Sequence, residues 1–137
     1  MKPWVFCQIV AGKVPAEIVV ENNEALAFLD KSPLQHGHVL LIPKPHIETL
    51  DQLPPEQSGD FFKLTQMISV AVERGLGAEG TFIALNNKVS QSVPHIHMHI
   101  VPRKKGDGLK GFFWPRKKYA SDEHMAETAL KIREALK

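Results

Sequence analysis

The segment His95-Ile96-His97-Met98-His99-Ile100-Val101 holds the residues whose types and spacing suit chemistry. In an extended strand, alternate side chains point to opposite faces. Ile96, Met98 and Ile100 then face a core, and His95, His97 and His99 share the other face, about 6–7 Å apart in succession. Histidine fills an apolar layer poorly, so a row of three opposite a clean apolar set points to function. A lone histidine would be read as a satisfied structural residue. Two chemistries fit. One is metal binding, because imidazole ligates zinc and His-x-His on a strand reaches one ion. The other is nucleophilic catalysis. Imidazole titrates at about pH 6.5, so a neutral ring can attack an electrophilic phosphorus while neighbouring histidines fix its tautomer and donate protons.

The row needs a strand with firm ends, and Pro94 and Pro102 bound one over His95–Val101. Upstream, Glu17–Glu21 is rich in β-branched residues, Asn22-Asn23 signals a turn, and Ala25–Leu29 completes a hairpin. His38–Ile42 is nearly all apolar and reads as a central strand, stopped by Pro43 and Pro45; Gly80–Leu85 supplies a further strand. Trp4–Val10 suits one or two helical turns. A long helix enters at Pro55 and runs to about Arg74, ended by Gly75 or Gly77, with Phe61, Leu64, Ile68 and Ala71 on its buried face. Phe62, Val70 and Val72 lie off that stripe and predict a second buried face. Ser121 caps a C-terminal helix whose buried stripe is Met125, Ala129, Ile132 and Leu136. Lys31–Gly37, Asn86–Pro94 and Gly106–Pro115 read as loops. The pattern predicts the α+β class: a five-stranded antiparallel sheet with one long and one C-terminal helix.

Composition bounds the rest. The chain has 137 residues, 43 % hydrophobic and 23 % charged, which suits one domain over 1–137 and excludes disordered, collagen-like and coiled-coil classes. Cys7 is the single cysteine, so neither an internal disulfide nor a cysteine-cluster zinc site is expected, and a reducing, cytoplasmic setting fits. No run reaches membrane-spanning length, and no membrane partner is expected. The net charge of +2 hides a local surplus: seven basic residues and one acid, Asp107, lie between Arg103 and Lys118. A basic segment directly after the histidine strand would favour substrates with more phosphate charge; as charge alone it reads as a solvated loop.

Other residues accompany the histidine row in a recognisable order. Phe6 to Ile9, Ile18 to Val20, Ala27-Phe28-Leu29-Asp30, Pro33, Gly37-His38-Val39, Ile42-Pro43-Lys44, His46-Ile47 and Gln91-Ser92-Val93 all precede it. With the triad strand they resemble the histidine-triad (HIT) nucleotide hydrolases and transferases over roughly residues 5–103, with residues 104–137 as a basic loop and the C-terminal helix. The N-terminal half looks like the Hint branch. The tail Pro102–Asp107 looks like the fragile-histidine-triad branch, and Phe112-Phe113-Trp114-Pro115-Arg116 fits neither well.

The resemblance implies a purine nucleotide substrate, either a nucleoside phosphoramidate or a dinucleoside polyphosphate, and a homodimer whose sheets join. It casts His97 as the nucleophile that forms a nucleotidyl-imidazole and His99 as the hydrogen-bond partner of the scissile phosphate or leaving group. His95 and His46 orient the nucleophile, and Ser92, Gln91 and Asn86, with the Gln91–Val93 backbone, hold phosphate oxygens. Asp30 would accept from the ribose hydroxyls, and Val5, Phe6, Ile9, Phe28 and Leu29 would form the base cleft. In many bacterial members two N-terminal cysteines bind zinc together with histidines equivalent to His46 and His95. Here Trp4 stands at the first cysteine position, so no metal or other cofactor is expected.

Each residue also has a plainer reading. Asp30 before Ser32-Pro33 suits a strand-ending turn, Phe6, Ile9 and Phe28 suit a core, Ser92 a loop hydroxyl and His46 an exposed turn. His36, His38 and His124 match no catalytic position, and His38 is expected only to fix the start of its strand. Two rival functions stand beside the transferase. One is a zinc hydrolase with the triad as ligands, although no general-base carboxylate flanks the row. The other is a non-catalytic nucleotide-binding partner protein, against which stands an intact His97. A nucleic-acid partner is not expected.

Overall fold

The structure is a computed structural model that describes residues 4–109 and 114–137, so Lys110, Phe112 and Phe113, which the sequence assigns to a loop, lie outside the described residues. The chain falls into two compact units, 1–107 and 108–137. The first holds a five-stranded antiparallel sheet with β1 (Ile18–Glu21), β2 (Ala25–Leu29), β3 (Val39–Pro43), β4 (Gly80–Ala84) and β5 (Met98–Arg103) in the spatial order β1-β2-β3-β5-β4. The α+β reading therefore holds, with three α-helices among the described residues: α1 (Val5–Val10), α2 (Pro55–Leu76) and α3 (Asp122–Ala135).

The period-two pattern of β2 and β3 explains the two layers. Ala25, Ala27, Val39 and Leu41 point to one face, where they join Ile96, Ile100 and the Phe61, Leu64, Ile68 and Val72 stripe of α2. Leu26, Phe28, Leu40 and Ile42 point to the other, where they meet Phe6 and Ile9 of α1 and Val93. Pro tolerates the first helical turn because its missing N–H has no partner there, and α2 starts at Pro55 accordingly. It passes through Gly75 and stops at Gly77, which takes the left-handed conformation at φ 64°.

Several expectations shift. The core stripe of α2 turns toward Val72, and Ala71 is exposed. Pro43 ends β3 inside the ladder, opposite Ala25. The triad strand begins at Met98 rather than His95. The carbonyl of His95 accepts from the His97 ring at 2.8 Å, and the Ile96 amide donates to Ile47, so these peptides are withdrawn from the ladder. In the second unit, the Ser121 hydroxyl caps α3 by accepting from the His124 amide at 3.0 Å. No residue of α3 is buried, and Met125, Ile132 and Leu136 are exposed, so the expected buried stripe is uncovered.

Candidate active site

The register of β3 and β5 gathers the histidines. Leu40 lies opposite His99, so His99 shares the face of Leu40, Phe28 and Phe6, and Ile100 takes the α2 side. His97 lies on the same side as His99, its ring centroid 5.2 Å from that of Phe6 and 4.9 Å from that of His99. The alternation expected of the row thus survives its departure from ideal strand. His95 and His97 are buried, and His46 sits beside His95 with ring centroids 5.2 Å apart.

Carbonyl oxygens only accept and amide N–H groups only donate, and this settles most of the ring tautomers. His95 donates from Nε2 to the Pro43 carbonyl at 2.7 Å, leaving Nδ1 as a lone pair toward Cys7. His97 donates from Nδ1 to the His95 carbonyl at 2.8 Å, so its Nε2 carries the free lone pair. Burial disfavours the imidazolium and pushes His95, His97 and His99 below the ordinary histidine range, the last to about 4. For His97, the His95 carbonyl and the Asp30 carboxylate pull partly the other way. The result is a buried neutral imidazole with Nδ1 anchored through its proton and Nε2 holding the lone pair that an electrophile would meet.

Beside the row lies an apolar cavity of about 780 Å³. Val5, Phe6, Ile9, Phe28, Leu29 and Asp30 all line it, joined by Val14, Pro15, Ala16 and Leu40, which the sequence reading did not single out. Asp30 is also the turn residue of the plainer reading, because the Ser32 amide donates to its Oδ1 at 2.9 Å. Val93 is buried in the apolar layer beneath and does not line the cavity. Gln91 has a structural duty: its amide donates to the carbonyls of Glu48 and Val93, and its Oε1 accepts from the Lys88 amide at 2.8 Å. Those bonds shape the loop before the triad, where Lys88 and Ser90 adopt positive φ and Asn86 and Ser92 are exposed.

His38 is the residue that sequence reasoning passed over. It is buried, and its Nε2 lies 2.9 Å from His99 Nδ1. The available signal was the β3–β5 pairing: with Leu40 opposite His99, His38 is its diagonal neighbour on the same face.

The zinc implied by bacterial HIT relatives can be tested against the donor set. Cys7, His46 and His95 each offer one ligand atom, all within 4.8 Å of one another. Trp4, at the position where the resemblance expects a further cysteine, stacks on His46 with ring centroids 3.9 Å apart, and its indole is no ligand. The residues present fall one donor short of a closed four-ligand zinc site.

A sheet face that pairs a nucleotide-sized apolar cavity with a neutral, anchored imidazole marks the histidine-triad class. The HIT domain model matches residues 11–106, and the chain belongs to that family. An uncharacterized HIT-like protein of Methanocaldococcus jannaschii is 39 % identical over 125 residues, which are 90 % of this chain and 96 % of that protein. The adenosine 5'-monophosphoramidase of Schizosaccharomyces pombe is 34 % identical over 81 % of this chain and 82 % of its own length. A HIT family member from Bacillus subtilis has the same fold, with a TM-score of 0.85 and 35 % identity over 95 % of this chain and 94 % of that one.

Proposed function

We propose that this chain is a nucleotidyl hydrolase or transferase that cleaves a nucleoside phosphoramidate or a dinucleoside polyphosphate. The observation that carries the reading is the anchoring of His97: Nδ1–H is spent on the His95 carbonyl, so Nε2 is a neutral nucleophile at physiological pH. That nitrogen bonds to the α-phosphorus as the bond to the leaving amine or phosphate breaks. Water then cleaves the nucleotidyl-imidazole and releases a nucleoside monophosphate. Splitting one displacement into two lowers each barrier, and N–H donors stabilise the charge that grows on the phosphoryl oxygens.

In this reading the base, a purine, enters the cavity between Phe6, Ile9 and Phe28, and Asp30 takes the ribose hydroxyls. Ser92 and Asn86 serve the phosphate oxygens, and Gln91 acts through the loop it shapes. His95 and His46 orient the nucleophile. The relative named a monophosphoramidase supports the phosphoramidate arm. The rival zinc hydrolase has less support, because among the described residues the ligand atoms of His95, His97 and His99 form no common cluster. A homodimer completes the proposal. The outer face of α2 exposes Phe62, Met67 and Val70, and β4 is an open sheet edge bearing the exposed Ile83. Val72, expected on that outer face, belongs to the core instead.

The test is a panel of nucleoside phosphoramidates and dinucleoside polyphosphates with product identification, followed by rapid quench and mass spectrometry. Release of nucleoside monophosphate with a nucleotidyl adduct on His97 is expected. Turnover without an adduct on any histidine, or no turnover at all, would sink the reading. Sedimentation should find a dimer at micromolar concentration, and a monomer-sized species alone would reject the assembly.

A further inference from the structure

His38 lies outside the roles argued so far, yet it is among the most buried polar side chains of the described residues, at 2 % exposure. Both of its ring nitrogens are engaged. The Leu34 amide donates to Nδ1 at 3.1 Å. A backbone amide cannot accept, so Nδ1 holds a lone pair and the proton of neutral His38 sits on Nε2. Nε2 lies 2.9 Å from His99 Nδ1, so it donates there, and neutral His99 must carry its own proton on Nε2. Burial keeps both rings neutral, which is the condition this logic needs. The Asp30 carboxylate approaches His38 Nδ1 only to 3.8 Å, too far to compete with the Leu34 amide.

We propose that His38 is a positioning residue: it passes the orientation of the Leu34 amide through its ring to His99 and locks His99 in the tautomer that offers an N–H from Nε2. This rests on the nucleotidyl-transfer reading, in which that N–H meets the phosphate or leaving group. A histidine needed only for the turn would use Nδ1 alone. The Nε2 contact with His99 is a second connection, and the two can be separated chemically. The amide oxygen of Asn stands where Nδ1 stands in a histidine; the amide nitrogen of Gln stands near Nε2.

The experiment compares His38→Asn and His38→Gln with wild type. Long-range ¹⁵N–¹H NMR of the imidazoles reads the His99 tautomer, melting reads the fold, and a nucleoside phosphoramidate reads turnover. Wild-type His99 should be the Nε2–H form. His38→Asn keeps the acceptor for Leu34, so it should melt near wild type, lose the fixed His99 tautomer and lose kcat by about tenfold, since a mispositioned donor stabilises the phosphoryl charge less often. His38→Gln keeps the donor to His99, so it should melt lower and retain both tautomer and kcat within about threefold. A wild-type His99 protonated on Nδ1 overturns the assignment, and so does an Asn variant with unchanged tautomer and kcat, or a Gln variant that loses as much kcat as Asn. If Gln fails to fold, the wild-type tautomer and the Asn variant still decide. If wild type turns over neither a nucleoside phosphoramidate nor a dinucleoside polyphosphate, the functional reading fails, and the NMR alone decides whether His38 sets the His99 tautomer.

Discussion

The two faces of the sheet are built from the same strands and end differently. On one, the 22-residue α2 packs on Val39, Leu41 and Ile100 and closes an apolar core. On the other, the six-residue α1 packs on Leu26, Phe28, Leu40 and Ile42, and the cavity and the buried histidine row lie on that same face. Short cover leaves room for the site. It also makes the second face costly, because buried imidazoles must each find partners for their nitrogens. His95 uses the Pro43 carbonyl, His97 the His95 carbonyl, and His38 the Leu34 amide. The α2 face is packed for stability, and the α1 face carries the residues proposed for chemistry.

A pair of substitutions three residues apart tests that division most severely. His97→Ala, on the open face, should lower kcat on the order of 10⁴-fold while nucleoside monophosphate binding and melting stay near wild type. Ile100→Ala, on the closed face and fully buried, should cost about 2–5 kcal/mol of stability yet leave kcat per folded molecule within a few-fold. Wild-type turnover in His97→Ala would end the mechanism. An Ile100→Ala protein that is folded but inactive would show that the faces are not independent.

Acid should find the open face first. Histidine titrates at about 6.5 when unperturbed, and His99 is held at about 4 in the fold. Between those values the unfolded chain binds more protons, so the stability contribution is full above pH 6.5 and is lost as pH falls toward 4. His38, His95 and His97 are also held low and steepen the same window. Melting scans from pH 8 to 4 should show the decline starting below 6.5, and His99→Gln should flatten it. A melting temperature unchanged from pH 7 to 5 would contradict the burial of neutral rings. The depressed His97 should also keep kcat level below pH 6.5, where an unperturbed nucleophile would already fade.

These contrasts show what the sequence made legible. Strands β2 and β3 and the Phe61, Leu64 and Ile68 part of the α2 stripe follow from local period, and the five residues expected to form a base cleft, Val5, Phe6, Ile9, Phe28 and Leu29, line one cavity together with Asp30. What escaped depends on partners distant along the chain. The start of β5 moved because a side chain, His97, takes the carbonyl that a ladder would use. Gln91 turned structural because its amide meets Glu48, and His38 gained its role only through strand pairing. The α3 stripe reads as amphipathic, yet Met125, Ile132 and Leu136 are exposed, because period alone supplies no packing partner.

The basic stretch after β5 should matter less. Lys104 follows His99 by five residues, about 16 Å of extended chain. That is about two Debye lengths at physiological salt, where the length is about 8 Å. Part of the stretch is neutralised, since Arg103 holds Asp107 through two bonds at 2.6 and 3.0 Å. Reversing Lys104 and Lys105 to Glu should therefore lower kcat/KM for a dinucleoside tetraphosphate by no more than about twofold, and for a phosphoramidate by less. Added salt should erase the difference. A loss several times larger would bring the basic segment into the substrate path.

The smallest expected effect is that of a chelator. The Cys7 thiol lies 3.3 Å from His46 Nδ1 and 3.7 Å from His95 Nδ1, so it joins α1 to the histidines. Two features favour a metal there: the ligand atoms are mutually close, and the His95 bond to Pro43 turns a lone pair inward, as outer partners of metal-bound histidines do. Two oppose it. Burial pushes the Cys7 thiol pKa up and so disfavours the thiolate that a metal would need. Trp4, which stands in the sequence where a further ligand cysteine would be expected, stacks on His46 and offers no ligand atom. The balance predicts turnover insensitive to chelators and zinc well below one per chain after dialysis. Cys7→Ser should change kcat little, because the hydroxyl can still hydrogen-bond one of the rings. One tightly held zinc per chain, lost together with stability in Cys7→Ser, would show that three donors and a water suffice. The Trp4–His46 stack would then be a lid on a metal rather than its replacement.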